Sequence, residues 1–263
     1  MAVEINLENK VALVTGGTRG IGKAIVNELL QSGAKVFATG TNLTQVEKLN
    51  KKNKNSLLTY LQLDLSEPNN VRKFISKTLK VTDIDILVNN AGINIVSDAD
   101  IISDEEFLQI QEINVHGPFL LAQAFGKQML NKNWGRIINI TSCAGLENSG
   151  PVTYSVSKSS LTVYTRTMGR ILATEGGHVV MSAIYPGVIA TEGGHWDNVL
   201  KNNPTHAKKY LDERCPLKRF GLVSEIAPVV VFQCSDLASF SHGAIIPVDG
   251  GQSRHYSSFN YLS

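Results

Sequence analysis

Tyr154 and Lys158 are four residues apart in the stretch "TYSVSK" (153–158), which lies in a predicted helix. One helical turn brings the Cβ atoms of residues i and i+4 to within about 5–6 Å. A free tyrosine has a pKa of ~10, so proton transfer near neutral pH requires this pKa to be lowered by roughly two or three units. We expect Lys158 to lower it, because a nearby cation favours the phenolate. The alternative is a structural tyrosine on an amphipathic helix.

The glycine-rich stretch "TGGTRGIG" (15–22) joins the first predicted strand to the first predicted helix. Its glycines are spaced Gly-x-x-x-Gly-x-Gly, which differs from the G-x-G-x-x-G dinucleotide fingerprint. Glycine lets a backbone approach a pyrophosphate, and a helix N-terminus offers free N–H groups and a positive dipole to the anion. The position at the first βα junction therefore favours a dinucleotide site.

The end of the second predicted strand indicates which dinucleotide binds. An NAD site shows an acidic side chain ~20 residues beyond the glycine loop, whereas "VFATGTN" places Gly40 and Thr41 there. Arg19 lies inside the loop, and a planar guanidinium suits a phosphate. These residues predict NADP(H) rather than NAD(H), the alternative being that Arg19 is simply solvated.

Short apolar runs alternate with helical patterns along the whole chain. The helical patterns are at 20–31, 67–79, 104–130, 151–173 and 223–235, and the predicted buried strands are at 11–15, 34–40, 57–64, 85–92, 136–142, 179–187 and 243–251. This alternation is typical of an α/β fold. It predicts one domain (1–263), a Rossmann-type doubly wound sheet of about seven parallel strands with helices on both faces. Ligands of such sheets bind beyond the carboxyl ends of the strands.

Composition excludes several function classes. The chain of 263 residues has a formal net charge of +2, which predicts no nucleic-acid partner. Neither a signal peptide nor an apolar run of ~20 residues is seen, so no membrane partner is expected. Cys143, Cys215 and Cys234 are odd in number and far apart, which predicts no disulfide, no metal site and a reduced, cytoplasmic location.

In order along the chain, these motifs resemble the short-chain dehydrogenase/reductase family. "TGGTRGIG" resembles its cofactor loop, Asp64-Leu65 its adenine-contacting pair, and "NNAG" (89–92) its sheet-stabilising segment beside the cofactor. "YPGVIAT" (185–191) is similar to its nicotinamide-carboxamide turn and "IIPVDGG" (245–251) to its closing strand. Among subfamilies, the motifs look most like 3-oxoacyl-carrier-protein reductases and their sugar- or polyol-dehydrogenase relatives.

The resemblance implies a site for each reactant. The implied catalytic residues are Asn114, Ser142, Tyr154 and Lys158. Tyr154 would be the general acid/base, Ser142 would bind the substrate oxygen, and Asn114 would bend its helix and anchor a water. Lys158 would also hold the nicotinamide ribose. The implied cofactor-binding residues are Gly16, Thr18, Arg19, Gly20, Ile21, Gly22, Thr41, Asp64, Leu65, Asn90, Ala91, Gly92, Tyr154, Lys158, Pro186, Gly187, Val188 and Thr191.

Two departures from the family pattern concern the entrance to the substrate site. Ser142 and Tyr154 are twelve residues apart, where thirteen is commoner, and Ser182 stands where asparagine is common. The irregular stretch 190–215, which we call the lid segment, resembles the family's substrate lid. Its basic and acidic residues nearly balance, so it does not identify the substrate.

Three functions remain open at this stage. The first is an NADPH-dependent ketone reductase, with a 3-oxoacyl thioester as candidate substrate. The second is a sugar or polyol dehydrogenase, and the third is a nucleotide-sensing regulatory protein without turnover. The resemblance also implies a homo-oligomer, a dimer or homotetramer, formed through 104–130, 151–173 and the C-terminal tail. Cys143, His116 and His178 are expected to be structural.

Overall fold

The computed structural model describes residues 4–95, 102–147 and 150–253. Its strands form one parallel sheet in the order β3-β2-β1-β4-β5-β6-β7. The strands are β1 (Val11–Val14), β2 (Lys35–Gly40), β3 (Leu58–Gln62), β4 (Ile86–Asn89), β5 (Gly135–Ile140), β6 (Val179–Pro186) and β7 (Ile245–Val248). The seven predicted strands and the doubly wound fold are confirmed.

The helices follow the predicted pattern with three additions. They are α1 (Gly20–Gln31), α2 (Leu43–Lys52), α3 (Pro68–Val81), α4 (Asp104–Gln111), α5 (Gly117–Asn131), α6 (Val152–Glu175), α7 (His195–Asn202), α8 (Pro204–Arg214) and α9 (Val223–Gln233). The additions are α2, α7 and α8. The expectation of an irregular lid segment was wrong, because α7 and α8 occupy most of it. No helix within the described residues is long and apolar enough to cross a membrane.

The sheet is buried on both faces because successive strand residues point to opposite sides. Ala12 and Val14 of β1 pack with one cluster, which contains apolar residues of α1 and α9. Leu13, between them, packs with the other cluster, which contains residues of α3, α5 and α6. This alternation explains why the strands appear in the sequence as continuous apolar runs.

The region predicted as one helix at 104–130 is interrupted. Residues Glu112–His116 form one turn of π-helix between α4 and α5, in which the Gly117 N–H donates to the Glu112 carbonyl. Asn114 lies in this turn and is fully buried. Short π-helical turns inside α-helices are frequent at functional sites.

The direction in which successive strands are added to the sheet reverses between β1 and β4, where the strand order passes from descending to ascending. At such a switch point the carboxyl ends of neighbouring strands open into a crevice. The structure places the glycine loop after β1, "NNAG" after β4 and Ser142 after β5 at this edge.

Beneath this edge, buried amides link the strands to α6. Asn89 Nδ2 of β4 donates to Asn139 Oδ1 of β5 at 2.9 Å. Asn139 Nδ2 in turn donates to Thr165 Oγ1 of α6, also at 2.9 Å. Asn89 and Asn139 are almost completely buried. The predicted sheet-stabilising role of "NNAG" agrees with these bonds.

Replacing Asn139 with alanine is expected to lower the free energy of unfolding by about 2 kcal/mol, because two buried polar partners lose a hydrogen bond. Urea unfolding measures the change. Asn198→Ala, at an exposed position of α7, is the control and should cost less than about 0.5 kcal/mol. Equal stabilities of the two variants would contradict a stabilising role for the amide network.

Candidate active site

Tyr154 and Lys158 lie on α6 and face the end of β5. The Tyr154 hydroxyl makes a hydrogen bond with Ser142, which follows β5. The Lys158 ammonium lies 5.6 Å from the centroid of the Tyr154 ring. Ser142 Oγ also accepts from the Ala144 N–H at 3.2 Å, which holds the serine in place. The structure therefore brings the three predicted residues together.

Lys158 is 4% exposed, so its ammonium must find polar partners inside the protein. It donates to the Ile140 carbonyl at the end of β5 at 2.9 Å. A Cβ added to Gly92 would lie 3.3 Å from the Lys158 Nζ. Glycine at 92 thus leaves the space that the ammonium occupies.

Burial dominates the pKa values of both groups. It raises the pKa of Tyr154 to about 12, although the hydrogen bond with Ser142 lowers it in part. It lowers the pKa of Lys158 to about 8. The expectation that Lys158 brings the tyrosine pKa towards neutrality is wrong in this structure, because burial removes the phenolate from water and the group that lowers the pKa in part is Ser142. Tyr154 is therefore protonated at neutral pH.

Asn114 holds the π-helical turn against the segment that follows β4. Its Oδ1 accepts from the Ile93 N–H at 2.8 Å, and its Nδ2 donates to the Ile93 carbonyl at 2.9 Å. The Nδ2 also donates to Ser157 Oγ of α6 at 3.0 Å. Asn114 is therefore a bridge between α6 and the carboxyl end of β4, and Ser157 is a partner that the sequence analysis did not identify.

The glycine loop forms a cradle that fits a pyrophosphate. Gly16 and Gly20 have φ values of +64° and +55°, which other residues rarely adopt. A Cβ on Gly22 would lie 2.3 Å from the Gly16 carbonyl oxygen. Helix α1 starts directly after Arg19, without a side-chain cap and without an acidic residue in its first turn. Its first N–H groups are thus available to an anion.

Asn90 ties this loop to β4. Its Nδ2 donates to the Thr15 carbonyl at 2.9 Å, and Thr15 Oγ1 accepts from the N–H groups of Asn90 and Ala91, each at 3.0 Å. A Cβ on Gly16 would be 3.1 Å from the Ala91 Cα. Two of the predicted cofactor segments therefore form one surface.

The end of β2 carries no carboxylate. Thr18 packs against Gly40, since a Cβ there would lie 2.8 Å from the Thr18 methyl group. The exposed Thr41 follows. The exposed Arg19 guanidinium donates only a long hydrogen bond, 3.5 Å, to the Gly193 carbonyl. This exposed guanidinium is thus available to an anion.

A cavity of about 380 Å³ opens above Ser142, Tyr154 and Lys158. The other predicted residues that line it are Ile21, Asn90, Gly92, Pro186, Gly187, Val188 and Thr191. Those that do not line it are Gly16, Thr18, Arg19, Gly20, Gly22, Thr41, Asp64, Leu65, Ala91 and Asn114. Most of the second group lies along the strand ends, where an extended dinucleotide would continue.

Two predicted cofactor contacts are restricted by the fold. The Leu65 side chain is 4% exposed and packs against Gly117, so Leu65 can offer only main-chain atoms. Asp64 Oδ1 already accepts from the Ser66 N–H at 2.9 Å and the Ser66 hydroxyl at 2.8 Å. Its second carboxylate oxygen has no hydrogen bond to any described residue.

Main-chain bonds hold Val188 of the predicted nicotinamide turn. Its N–H donates to Gln252 Oε1 at 3.0 Å, and its carbonyl accepts from the Gly221 N–H at 2.9 Å. A ligand can therefore reach Val188 through its side chain or the second lone pair of its carbonyl, whereas its N–H is already engaged. The next residue, Ile189, forms a parallel bridge with Gly221, in which its own N–H and C=O point away from the partner strand. Ile189 lines the cavity and is one of the lining residues that the sequence analysis missed.

The lid segment contributes an aromatic wall. His195, Trp196 and Tyr210 line the cavity. The Trp196 ring centroid is 4.4 Å from that of Tyr210 and 5.3 Å from that of Phe220. This wall could not be located from the sequence, because α7 and α8 must first fold back on each other.

The remaining predictions concern cysteine and histidine residues, metal binding and the C-terminal tail. Cys143 is buried and also lines the cavity wall, and His116 pairs with Glu112 at 2.7 Å. The three cysteines are free thiols. Among the described residues, no cluster of His, Cys, Asp and Glu could hold a metal ion. The predicted tail contact at 254–263 lies outside the described residues.

This combination of a parallel sheet, a glycine loop and a Ser-Tyr-Lys site is matched by a known family. The family model for short chain dehydrogenases matches residues 10–198. The chain belongs to the short-chain dehydrogenase family. The resemblance inferred from the sequence is confirmed.

Individual relatives cover nearly the whole chain. The 3-oxoacyl-(acyl-carrier-protein) reductase of Aquifex aeolicus is 36% identical over 95% of this chain and 99% of its own. Two solved structures are similar in fold. A putative NAD(P)-dependent gluconate 5-dehydrogenase from Beutenbergia cavernae with bound NADP has a TM-score of 0.85 and 26% identity over 95% of this chain and 99% of its own. L-Sorbose reductase from Gluconobacter frateurii, complexed with NADPH and L-sorbose, has a TM-score of 0.83 and 27% identity over 95% of this chain and 98% of its own.

Lys158→Met is expected to raise the free energy of unfolding by about 2 kcal/mol at pH 7, because a pKa unit corresponds to ~1.4 kcal/mol and the lost bond to Ile140 offsets part of the gain. The folded-state pKa is about 8 and the ordinary value is 10.5. Below pH 8 the folded protein bears the whole cost of burying the ammonium. Between pH 8 and 10.5 the folded protein releases that proton first, so the gain in the variant fades.

Urea unfolding of both proteins at pH 7 and pH 10 measures this difference. The control is Lys127→Met, at an exposed position of α5, which should show no such pH dependence. A difference between wild type and Lys158→Met that grows with pH would have the opposite sign and would contradict a lowered lysine pKa.

Proposed function

We propose that the protein is an NADP(H)-dependent oxidoreductase that reduces ketones, with 3-oxoacyl-type substrates as the first candidates. The observation that carries this proposal is a protonated Tyr154 hydroxyl, hydrogen-bonded to Ser142, at the base of a cavity beside the glycine loop. Reduction of a ketone needs a proton at the carbonyl oxygen. Tyr154 holds such a proton at neutral pH and can donate it as general acid if the phenolate that forms is stabilised by a neighbouring cation.

Ser142 and Lys158 assist the proton transfer. The Ser142 hydroxyl can donate to the substrate oxygen and stabilise the charge that develops there. Lys158, with a pKa of about 8, is mostly protonated at pH 7 and stabilises the phenolate that Tyr154 leaves behind. Asn114 would fix the helix that faces Lys158 and anchor a water.

The residues around the glycine loop fit NADP(H). The first turn of α1 would hold the pyrophosphate, and Arg19 with Thr41 would hold the ribose phosphate. The adenosine side of the site would be lined by Asp64 and the main chain of Leu65. The ribose side would be lined by the segment Asn90–Gly92. When bound, NADPH supplies the hydride. The bound NADP and NADPH of the two structural relatives support this choice over NAD(H).

A second candidate is a sugar or polyol dehydrogenase of the same family. Trp196 offers a flat apolar surface at the cavity wall, which can pack against the C–H face of a sugar ring. The two structural relatives are named for gluconate and L-sorbose. A nucleotide-sensing regulatory protein is the weaker alternative, because Ser142, Tyr154 and Lys158 are all present and in contact range.

We further propose that the chain acts as one domain whose lid segment covers the substrate, and that it assembles as a dimer or tetramer in the cytoplasm. Three free thiols are consistent with a reducing compartment. The exposed apolar residues Val156 and Val163 of α6 support assembly through that helix. Sedimentation at micromolar concentration tests the oligomeric state.

Turnover should identify the substrate class. NADPH oxidation is followed with 3-oxoacyl thioesters, diketones and keto sugars. Tyr154→Phe is expected to reduce kcat by about 10²–10⁴-fold, the range for a general acid, and to leave NADPH affinity near wild type. Equal kcat in both proteins would contradict the role of Tyr154. No turnover of any compound, with NADPH still bound, would favour the regulatory protein instead.

Arg19→Ala is expected to weaken NADPH binding by roughly 10- to 100-fold, the equivalent of a charged hydrogen bond of about 1.5–3 kcal/mol. NADH binding should stay within about twofold, since NADH has no 2′-phosphate. Fluorescence titration with each nucleotide measures both. Lys23→Ala, at an exposed position of α1, is the control. Equal losses for NADH and NADPH would exclude phosphate recognition by Arg19.

A further inference from the structure

Gln252 lies between two walls of the cavity and bonds to both. It is 8% exposed. Its Oε1 accepts from the Val188 N–H at 3.0 Å, and its Nε2 donates to the Tyr210 hydroxyl at 2.9 Å. The orientation of the amide follows from chemistry, because a main-chain N–H can only donate and must therefore face the oxygen. One side chain thus joins the turn that follows β6 to α8.

The segment that carries Gln252 is a compact turn after β7. Asp249 Oδ1 accepts from the Gly251 N–H at 2.9 Å, and its Oδ2 accepts from the Ser253 N–H at 2.8 Å. The Gln252 N–H donates to the Asp249 carbonyl at 3.2 Å. These bonds hold the Gln252 backbone in one conformation. Gln252 therefore projects from a fixed support.

On one side, Gln252 fixes the turn that follows β6. A Cβ on Gly187 would lie 2.9 Å from Gln252 Oε1, so the turn packs directly on the glutamine. Val188 is held through its N–H by Gln252 and through its carbonyl by Gly221. The two bonds set the direction of the next peptide, that of Ile189, which lines the cavity.

On the other side, Gln252 holds the lid helices. Helix α7 buries none of its residues and α8 buries only Ala207. Because so few residues of α7 and α8 are buried, each hydrogen bond to the rest of the protein is important for the position of these helices. Tyr210, which receives the Gln252 bond, contacts Trp196 of α7 with ring centroids 4.4 Å apart.

We propose that Gln252 is a positioning residue that fixes the lid helices relative to the turn that follows β6. It thereby determines how tightly the substrate is enclosed. The inference rests on the proposed function only in that the enclosed molecule is a carbonyl or alcohol substrate. Gln252 does not touch the reacting atoms. It acts through Tyr210 and Trp196 on one wall and through Val188 on the other.

Three variants test the proposal in a Trp134→Phe background, in which Trp196 is the remaining tryptophan of the two in the chain. Gln252→Leu removes both bonds with little change in volume. Tyr210→Phe removes only the bond to α8, and the double variant combines the two. Gln31→Leu, at an exposed position at the end of α1, is the control. Each protein is examined for Trp196 emission, urea unfolding, and kcat and KM with the best substrate of the panel.

We expect Trp196 emission to shift to longer wavelength in Gln252→Leu and Tyr210→Phe under conditions where both remain folded, because a released α7 exposes the indole. Tyr210→Phe should raise KM by about tenfold, the equivalent of one hydrogen bond of roughly 1.4 kcal/mol, at unchanged kcat. Because both substitutions break the same bond, Tyr210→Phe should add nothing to Gln252→Leu in the double variant.

Unchanged emission in Gln252→Leu would overturn the proposal, as would additive effects of the two substitutions on KM. A loss of stability in Gln252→Leu with wild-type emission and KM would show a structural role only and would also overturn it. If the wild type reduces none of the panel, the proposed function fails. The role of Gln252 is then still decided by Trp196 emission, measured with NADPH and without substrate. The emission shift of the double variant is compared with the shifts of the two single variants.

Discussion

The buried ammonium of Lys158 is the constraint around which the site is built. A charge at 4% exposure is tolerated only where polar atoms receive it, and here the Ile140 carbonyl at the end of β5 does so. Helix α6 must therefore lie close to that strand end. A Cβ on Gly145 would be 2.8 Å from the Lys158 main chain, and one on Gly92 would be 3.3 Å from its Nζ. Glycine at both positions permits this approach.

The same burial acts on Tyr154 and Lys158 in opposite directions. Loss of water disfavours the charged form of each group, so the tyrosine pKa rises to about 12 and the lysine pKa falls to about 8. At neutral pH the site thus holds a phenol that can give up a proton and a cation that can stabilise the anion left behind. Tyr154 can therefore act as general acid towards a bound carbonyl oxygen.

Segments from distant parts of the chain complete the cavity because parallel strands place their carboxyl ends at one edge. The glycine loop follows β1, the Asn90–Gly92 segment follows β4, and Ser142 follows β5. The segment after β7 then supports the turn after β6, through Gln252, and reaches the lid helices as well. The edge is therefore one connected structure rather than a set of independent loops.

The sequence by itself determined the doubly wound sheet, the glycine loop and the residues Ser142, Tyr154 and Lys158. Apolar periodicity is sufficient for the sheet, and the glycine loop and the Tyr154–Lys158 spacing are local patterns. Ser142 was identified through the resemblance of these motifs, taken in order, to those of the family. Helix α2 was missed although it too is local, because its polar composition with one buried residue, Val46, gives a weak apolar pattern.

Only the tertiary structure decided the π-helical turn, the pKa values, the main-chain bonds of Val188 and the link through Gln252. These depend on contacts between residues far apart in the chain, such as Asn114 with Ser157 at a separation of 43 and Val188 with Gln252 at a separation of 64. No local pattern records such a pair. The desolvation that shifts a pKa likewise arises only once the chain has packed around the group.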